Sequence, residues 1–391
     1  MTPLVPHVPL NDDRRPVLVV FGTRPEAIKM APVVKALQAS RALRPVVCVT
    51  EQHQEMLAQV LTFFGLEPEV RLGVMAPGQS PSQVAARILE RLPAVFQAVA
   101  PAAVLVQGDT TTTLAAALAA FHDRIPVGHV EAGLRTYRLD SPFPEEMNRQ
   151  VVTRLARWHF PPTAWAAANL EREGVAASAV HVVGNPVIDA LEWAVGHLGA
   201  HRNSVLPGLE TGGRKLVLVT AHRRESFGEP FEALCAGLRS VVERNPEVEL
   251  VYPVHLNPAV QEPVRRELGG VARVHLIAPL AYWELVDLLR RSYLVVTDSG
   301  GIQEEAPTLG KPVVVLRETT ERPEGVAAGT AVLVGTGTAG IVGAVEKLLR
   351  DPEVYRRMAT THNPYGDGHT AERIVAVLEG SLVPGLVGKG T

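Results

Sequence analysis

The sequence predicts an α/β protein made of two doubly wound parallel-sheet domains in tandem. Three observations carry this. Short β-rich apolar runs alternate with amphipathic helical stretches along the chain, the pattern of βαβ units. At 391 residues the chain is too long for one ordinary core. Charged motifs follow directly after the apolar runs, and in doubly wound sheets ligands bind beyond the carboxyl ends of the strands. Two such domains imply a cleft that one ligand shares.

In order, the strand candidates of the first half are 17–21, 46–50, 103–107, 126–130 and 180–183. Those of the second half are 216–220, 249–254, 293–297, 312–316 and 331–334. Helical patterns lie between them at 25–39, 82–99, 144–157, 229–244, 300–309 and 339–349, among others. The segment 185–214 mixes a helical stretch with a polar, glycine-rich loop at 207–214. This places the domain change near 184–190, with domains of 16–184 and 185–369. A last helix, about 370–382, can pack on either half. Residues 1–15 hold three prolines and late charges without an apolar signal core, and are expected to be a disordered extension.

Composition excludes several classes. Hydrophobic residues at 46% and charged residues at 20% are ordinary for a globular protein. A net charge of −3 gives no general attraction to nucleic acid or anionic membranes. Cys48 and Cys235, far apart in apolar contexts, read as buried thiols in a reducing compartment. No apolar stretch approaches the roughly 20 residues that span a bilayer. These features point to a cytoplasmic protein.

The turn after 17–21 reads Gly22-Thr-Arg-Pro-Glu-Ala-Ile-Lys-Met-Ala31. Thr23 with Glu26 fits a capping box, and Pro25 suits the first turn. Arg24 and Lys29 add cations to a helix N-terminus that already favours anions, as for a phosphate-like ligand. The strand 103–107 runs into Gly108, Asp109 and a threonine cluster that opens a helix; an Asp or Thr N-cap is the plainer explanation there. The strand 126–130 runs into Glu131, flanked by small residues. Ser141-Pro-Phe-Pro-Glu145-Glu146 opens another helix, where acidic residues also suit the dipole. Asp109, Glu131 and Glu145 at neighbouring strand ends together point to acid/base work.

In the second half, strand 216–220 ends at His222-Arg223-Arg224, suited to an anion or to proton transfer. His255 occupies the equivalent place after 249–254. Thr297-Asp298-Ser299-Gly300-Gly301 is a strand, a glycine turn and a helix start, where a phosphate can approach backbone N–H groups. Glu305, one turn on, is placed for the two hydroxyls of a ribose. Arg322 adds a further cation. The run Gly335-Thr-Gly-Thr-Ala-Gly340 matches a dinucleotide fingerprint, yet it lies near the chain end and lacks the later acidic strand end. It is read as a glycine-rich turn, without NAD.

These motifs together resemble one family. Gly22-Thr-Arg-Pro-Glu-Ala-Ile-Lys-Met-Ala-Pro32, Gly108-Asp-Thr-Thr-Thr-Thr113, Gly128-His-Val-Glu-Ala-Gly-Leu-Arg135, Ser141-Pro-Phe-Pro-Glu-Glu146 and His222-Arg-Arg-Glu225 all fit. So do Asp298-Ser-Gly-Gly-Ile-Gln-Glu-Glu-Ala306, Thr320-Glu-Arg-Pro-Glu324 and Asn363-Pro-Tyr-Gly-Asp-Gly368. From about Val17 to Gly380 the chain resembles the non-hydrolysing UDP-N-acetylglucosamine 2-epimerases. The resemblance implies two Rossmann-like domains facing a central cleft in the GT-B arrangement, and a homodimer. It implies interconversion of UDP-GlcNAc and UDP-ManNAc with no cofactor and no catalytic metal, supplying ManNAc for surface polysaccharide.

By motif, the resemblance makes Asp109, Glu131 and Glu145 the acid/base carboxylates, with their faces unassigned, and His222 a catalytic or phosphate-contacting residue. It makes Arg24, Lys29, Ser299, Gly300, Gly301, Glu305 and Arg322 substrate ligands. Some members hold a second UDP-GlcNAc that activates the enzyme, and Gln52, Glu146, Arg223 and His255 match that site. Glu55 and Leu285 depart from the family pattern. Arg24 and Lys29 point about 140° apart on an ideal helix. Arg24 is therefore expected at the diphosphate, and Lys29 lining the cleft or steadying a carboxylate such as Asp109. A hydrolysing epimerase, a GT-B glycosyltransferase and a sugar-nucleotide sensor remain the alternatives at this level.

Overall fold

A computed structural model describes residues 12–51, 54–76, 78–199, 205–206 and 213–383. Most of the expected N-terminal extension therefore lies outside the described residues, and Arg15 already begins the first strand. Two compact units emerge. The first takes the described residues up to Ala190 and again from Gly366; the second is Leu191–Tyr365.

Unit 1 contains β1 (Arg15–Phe21), α1 (Arg24–Ala39), β2 (Leu43–Val49), α2 (Gln54–Phe64), β3 (Val70–Arg71), α3 (Pro81–Val99), β4 (Ala103–Gln107) and α4 (Thr111–His122). It continues with β5 (Val127–Val130), α5 (Glu145–Leu155), β6 (Trp158–Phe160), α6 (Ala164–Arg172) and the start of α7 (Pro186–Gly196). Its sheet has the order β3-β2-β1-β4-β5-β6, with every pair parallel. Val17 to Phe21 are wholly buried. A strand covered by helices on both faces has no polar side, which is why β1 reads as a continuous apolar run and not an alternating one.

Unit 2 contains β7 (Lys215–Thr220), α8 (Glu229–Arg244), β8 (Val248–Pro253), α9 (Pro258–Leu268), β9 (Val274–Ile277), α10 (Tyr282–Arg291) and β10 (Leu294–Thr297). It ends with α11 (Gly300–Thr308), β11 (Val313–Val315), α12 (Pro323–Ala328), β12 (Ala331–Leu333), α13 (Thr338–Arg350) and α14 (Pro352–Thr360). Its sheet order, β9-β8-β7-β10-β11-β12, repeats that of unit 1. The final helix, α15 (Thr370–Leu382), returns to unit 1, where Ser40 Oγ donates to Glu379 Oε1 at 2.6 Å.

In each sheet the chain reverses its direction of winding beside the first strand, between β1 and β4 and between β7 and β10. Two neighbouring strand-end loops diverge at such a point and leave a crevice. The sequence motifs fall at both crevices: Gly22 and Gly108 in unit 1, His222 and Ser299 in unit 2.

Two expectations need correction. Residues 180–183 form no strand, only a single bridge from Val180 to His159. Pro161 and Pro162 follow β6 and have no N–H to return to a neighbour, so the ladder stops. The sixth strand is instead Trp158–Phe160, three residues too short to show a period. The short β3 and β9 were likewise not anticipated; all four residues of β9 are only half-buried, which blurs its apolar signal.

Candidate active site

The unit 1 crevice is built on a capped helix. Thr23 caps α1, and the Glu26 side chain returns to the backbone N–H of Thr23 (2.8 Å) and of Gly22 (3.0 Å), completing the capping box. A Cβ on Gly22 would fall 2.0 Å from Thr50 Oγ1, so only glycine fits beneath that hydroxyl. The other Glu26 oxygen accepts from Thr110 Oγ1 (2.6 Å) and Thr113 Oγ1 (3.2 Å), tying the N-terminus of α1 to that of α4. Thr110, not Asp109, caps α4, which leaves the Asp109 carboxylate for other work.

Burial pushes the Glu26 carboxyl up, and these hydrogen bonds oppose the shift. A raised folded-state value means stability that is fully present below the ordinary value and is lost as pH rises through the raised one. Glu26→Gln removes this dependence. The variant is expected to become more stable relative to wild type as pH climbs above about 4.5, measured by denaturant unfolding across pH.

Glu131 stands just after β5 with φ +61°, and is 5% exposed. Lys29 Nζ reaches both its oxygens, at 2.6 and 2.7 Å. Gln107 Nε2 donates to Oε2, and Asn185 Nδ2 to Oε1 at 3.0 Å. Lys29 thus steadies Glu131, whereas Asp109 pairs with Arg149 (Nη2 to Oδ2, 2.6 Å). The α5 residue Asn148 also donates to the Asp109 carbonyl at 2.8 Å. Glu145 opens α5 half-buried, and its carboxylate has no hydrogen-bond or ion-pair partner among the described residues. Arg24, the first residue of α1, is partly exposed.

The four residues matched to a second ligand site are placed differently. Gln52 lies outside the described residues. Glu146 is fully buried, and its carboxylate accepts from the backbone N–H groups of Thr136 (2.9 Å) and Tyr137 (3.0 Å) and from Gln150 (2.8 Å). It anchors the 136–137 loop from the first turn of α5. Arg223 and His255 flank His222 in unit 2, with the His222 and His255 rings stacked at 5.2 Å.

In unit 2, Asp298 follows β10 wholly buried. Its Oδ2 accepts the backbone N–H groups of His222 (2.6 Å) and Arg223 (2.7 Å), clipping the loop after β7 to the neighbouring strand. Ser299 precedes α11 without capping it, so the first N–H groups of that helix face outward from the turn unclaimed by the Ser299 hydroxyl. The Arg322 guanidinium lies over Gly300; a Cβ there would come within 2.5 Å of Nη1. Glu304 (2.6 Å) and Glu321 (2.8 Å) hold that guanidinium in place. Burial pushes Glu321 up, but Arg322, Arg317 and Arg223 together bring it down to about 2. Glu305 is buried and accepts from Tyr282 at 2.9 Å; Leu285, on the same helix, is half-buried. Charge and free N–H groups at this turn suit an anion.

The glycine run 335–340 is not a phosphate cradle. A Cβ on Gly335 would sit 2.2 Å from Glu318 Oε1, and one on Gly340 2.7 Å from the Val334 carbonyl. The protein's own carboxylate fills the turn, and an acidic group repels a phosphate. Among the described residues no group of three or more His, Cys, Asp or Glu is arranged to hold a metal, and no helix is long and apolar enough to cross a membrane.

Sequence reasoning missed Arg149, Gln107, Asn185, Asp298 and Tyr282 as site residues. Gln107 and Asp298 had a signal, each a polar residue at the end of an apolar strand. Arg149 had none, because its partner is 40 residues away.

The chain is similar to known proteins over most of its length. The family model for UDP-N-acetylglucosamine 2-epimerase matches residues 35–379. A Yersinia pestis protein named UDP-N-acetylglucosamine 2-epimerase is 52% identical over 94% of this chain and 99% of its own length. The crystal structure of UDP-GlcNAc 2-epimerase from Neisseria meningitidis bound to UDP-GlcNAc superposes with a TM-score of 0.87 at 47% identity, covering 93% of this chain and 99% of that one. A Staphylococcus aureus co-structure with UDP gives 0.85 at 44% identity, over 94% and 97%. The two six-stranded parallel sheets flanked by helices match these GT-B-like structures.

Proposed function

This chain belongs to the UDP-N-acetylglucosamine 2-epimerase family, and on that premise we propose that it inverts C2 of UDP-N-acetylglucosamine without hydrolysis. The reaction is elimination of UDP to 2-acetamidoglucal, then re-addition with the proton delivered to the other face of C2. The C2 proton has no neighbouring carbonyl to acidify it. Departure of UDP from C1 builds oxocarbenium character that makes it removable.

Each unit offers part of the chemistry that this reaction needs. In unit 2 the α11 N-terminus, Ser299, Gly300, Gly301 and Arg322 receive the charge that grows on the leaving diphosphate, and Glu305 takes the ribose. In unit 1 Arg24 adds a cation, while Asp109, Glu131 and Glu145 serve C2 as the acid/base set. Their surroundings differ. Glu131 is held by an ammonium and two amides, and Asp109 by Arg149. Glu145 has no such partner among the described residues.

What supports the reading is that Asp109 follows β4 at the switch point of one sheet, with Glu131 tied to α1 beside it through Lys29, while a glycine turn with Arg322 over it stands at the switch point of the other sheet. The Neisseria structure bound to UDP-GlcNAc, at 47% identity, supports the substrate. The reading extends, by family resemblance, to a cytoplasmic homodimer whose product supplies ManNAc for surface polysaccharide.

Incubation with UDP-GlcNAc in deuterated water should give roughly a tenth of the sugar nucleotide as the manno epimer, for a difference of about 1.4 kcal/mol. Mass spectrometry and NMR should find deuterium at C2 of both epimers and no free ManNAc. Free sugar would identify a hydrolysing enzyme; absence of C2 exchange would sink the epimerase reading.

A further inference from the structure

We infer that Asp298 makes His222 a proton-uptake site, so that binding of the substrate diphosphate draws a proton from solvent onto His222 Nε2. The inference rests on the proposed function and adds Asp298 to it as a positioning residue.

Its basis is one carboxylate with two unlike oxygens. Oδ2 of Asp298 holds the backbone N–H groups of His222 and Arg223 at 2.6 and 2.7 Å. Oδ1 is buried with no hydrogen-bond partner among the described residues, and lies 3.6 Å from His222 Nδ1. A loop clip needs only the first oxygen. Leaving the second bare in the interior is costly unless a donor comes to it. The imidazole is the group beside it. With its proton on Nδ1 it turns slightly to supply that donor, which leaves Nε2 without a proton.

The groups facing His222 come from three loops: Asp298 after β10, the stacked His255 after β8, and Arg223 beside it. Burial lowers the His222 proton affinity, Asp298 opposes this, and His255 and Arg223 add to the lowering. Without ligand the balance favours a neutral ring. The side chain is 42% exposed, so it remains open to an incoming ligand. A diphosphate brings negative charge to that open side. Nε2 then takes a proton from the buffer and donates it in a hydrogen bond to a phosphate oxygen. The imidazolium is held between phosphate and Asp298.

The test is titration calorimetry of the full-length enzyme with UDP-GlcNAc at pH 7, repeated in buffers of different ionisation enthalpy. Interconversion of the sugars consumes no net proton, so the dependence on buffer counts only protons taken up on binding. Wild type should take up ~0.5 proton or more per site. Asp298→Asn keeps an oxygen for the two backbone N–H groups but puts an NH2 against Nδ1, which reverses the tautomer. UDP-GlcNAc should still bind to that variant, with proton uptake reduced several-fold. If Asp298→Asn does not fold, His222→Gln serves instead and must also lose the uptake. Binding without proton uptake by wild type, or unchanged uptake in either variant, overturns the inference. Failure of wild type to bind UDP-GlcNAc at all overturns the proposed function, and this with it.

Discussion

Replacing Glu131 by Gln is expected to lower kcat by about 10²–10⁴-fold, the usual contribution of a positioned acid or base, with little change in the affinity for UDP. The affinity should survive because the proposed nucleotide contacts, apart from Arg24, belong to unit 2, whereas Glu131 belongs to unit 1. The substitution is nearly isosteric, but it is not electrically neutral in its effect. Lys29 and Glu131 are a buried pair, with side chains 12% and 4% exposed. Removing one charge of such a pair costs about 3–5 kcal/mol. The new amide would also point donors at Lys29, Gln107 or Asn185.

The loss of activity therefore comes with a loss of thermal stability, and the two can be separated. Lys29→Met/Glu131→Gln removes both charges, so it should recover most of the stability and none of the turnover. Thermal unfolding alongside steady-state kinetics checks this. Near-normal kcat in Glu131→Gln would exclude Glu131 from the chemistry.

Gly300→Ala is expected to weaken UDP binding by about 10–100-fold, with a smaller effect on kcat at saturation. The added methyl would come 2.5 Å from Arg322 Nη1 and 2.6 Å from Cζ. The guanidinium must move, although its bonds to Glu304 and Glu321 resist the shift. Losing one charge-assisted hydrogen bond to the diphosphate costs about 1.5–3 kcal/mol, which gives the stated factor. Gly301→Ala is the informative comparison. Its methyl would meet only Glu305 Oε2, at 3.9 Å, so a much smaller loss is expected. Equal losses in direct binding measurements would mean that backbone approach, not Arg322, governs the site.

Much of the architecture was legible because buried parallel strands announce themselves. β1, β4, β7 and β10 are apolar on both faces, so each appears as an unbroken run with a glycine, acidic or histidine loop behind it. The capping box at Thr23 and Glu26 could be read from spacing alone, since its partners are three residues apart. The short edge strands gave no such signal. The His159–Val180 bridge could not be told from a strand without seeing that two prolines end the ladder.

The sequence by itself determined the alternation of strands and helices, the loops that carry chemistry and the residue types they offer. Those properties depend on neighbours within a turn or a strand, and period and propensity report them. Only the tertiary structure decided the partners. Lys29 meets Glu131 across 102 residues, Asp109 meets Arg149 across 40, and Glu146 is turned inward to hold a loop. Sheet order and helix packing bring those groups together, and one-dimensional spacing carries no record of them. The Gly22 and Ser299 turns could be located from the chain alone. That each lies at the switch point of its own sheet followed only once β4 was found beside β1, and β10 beside β7.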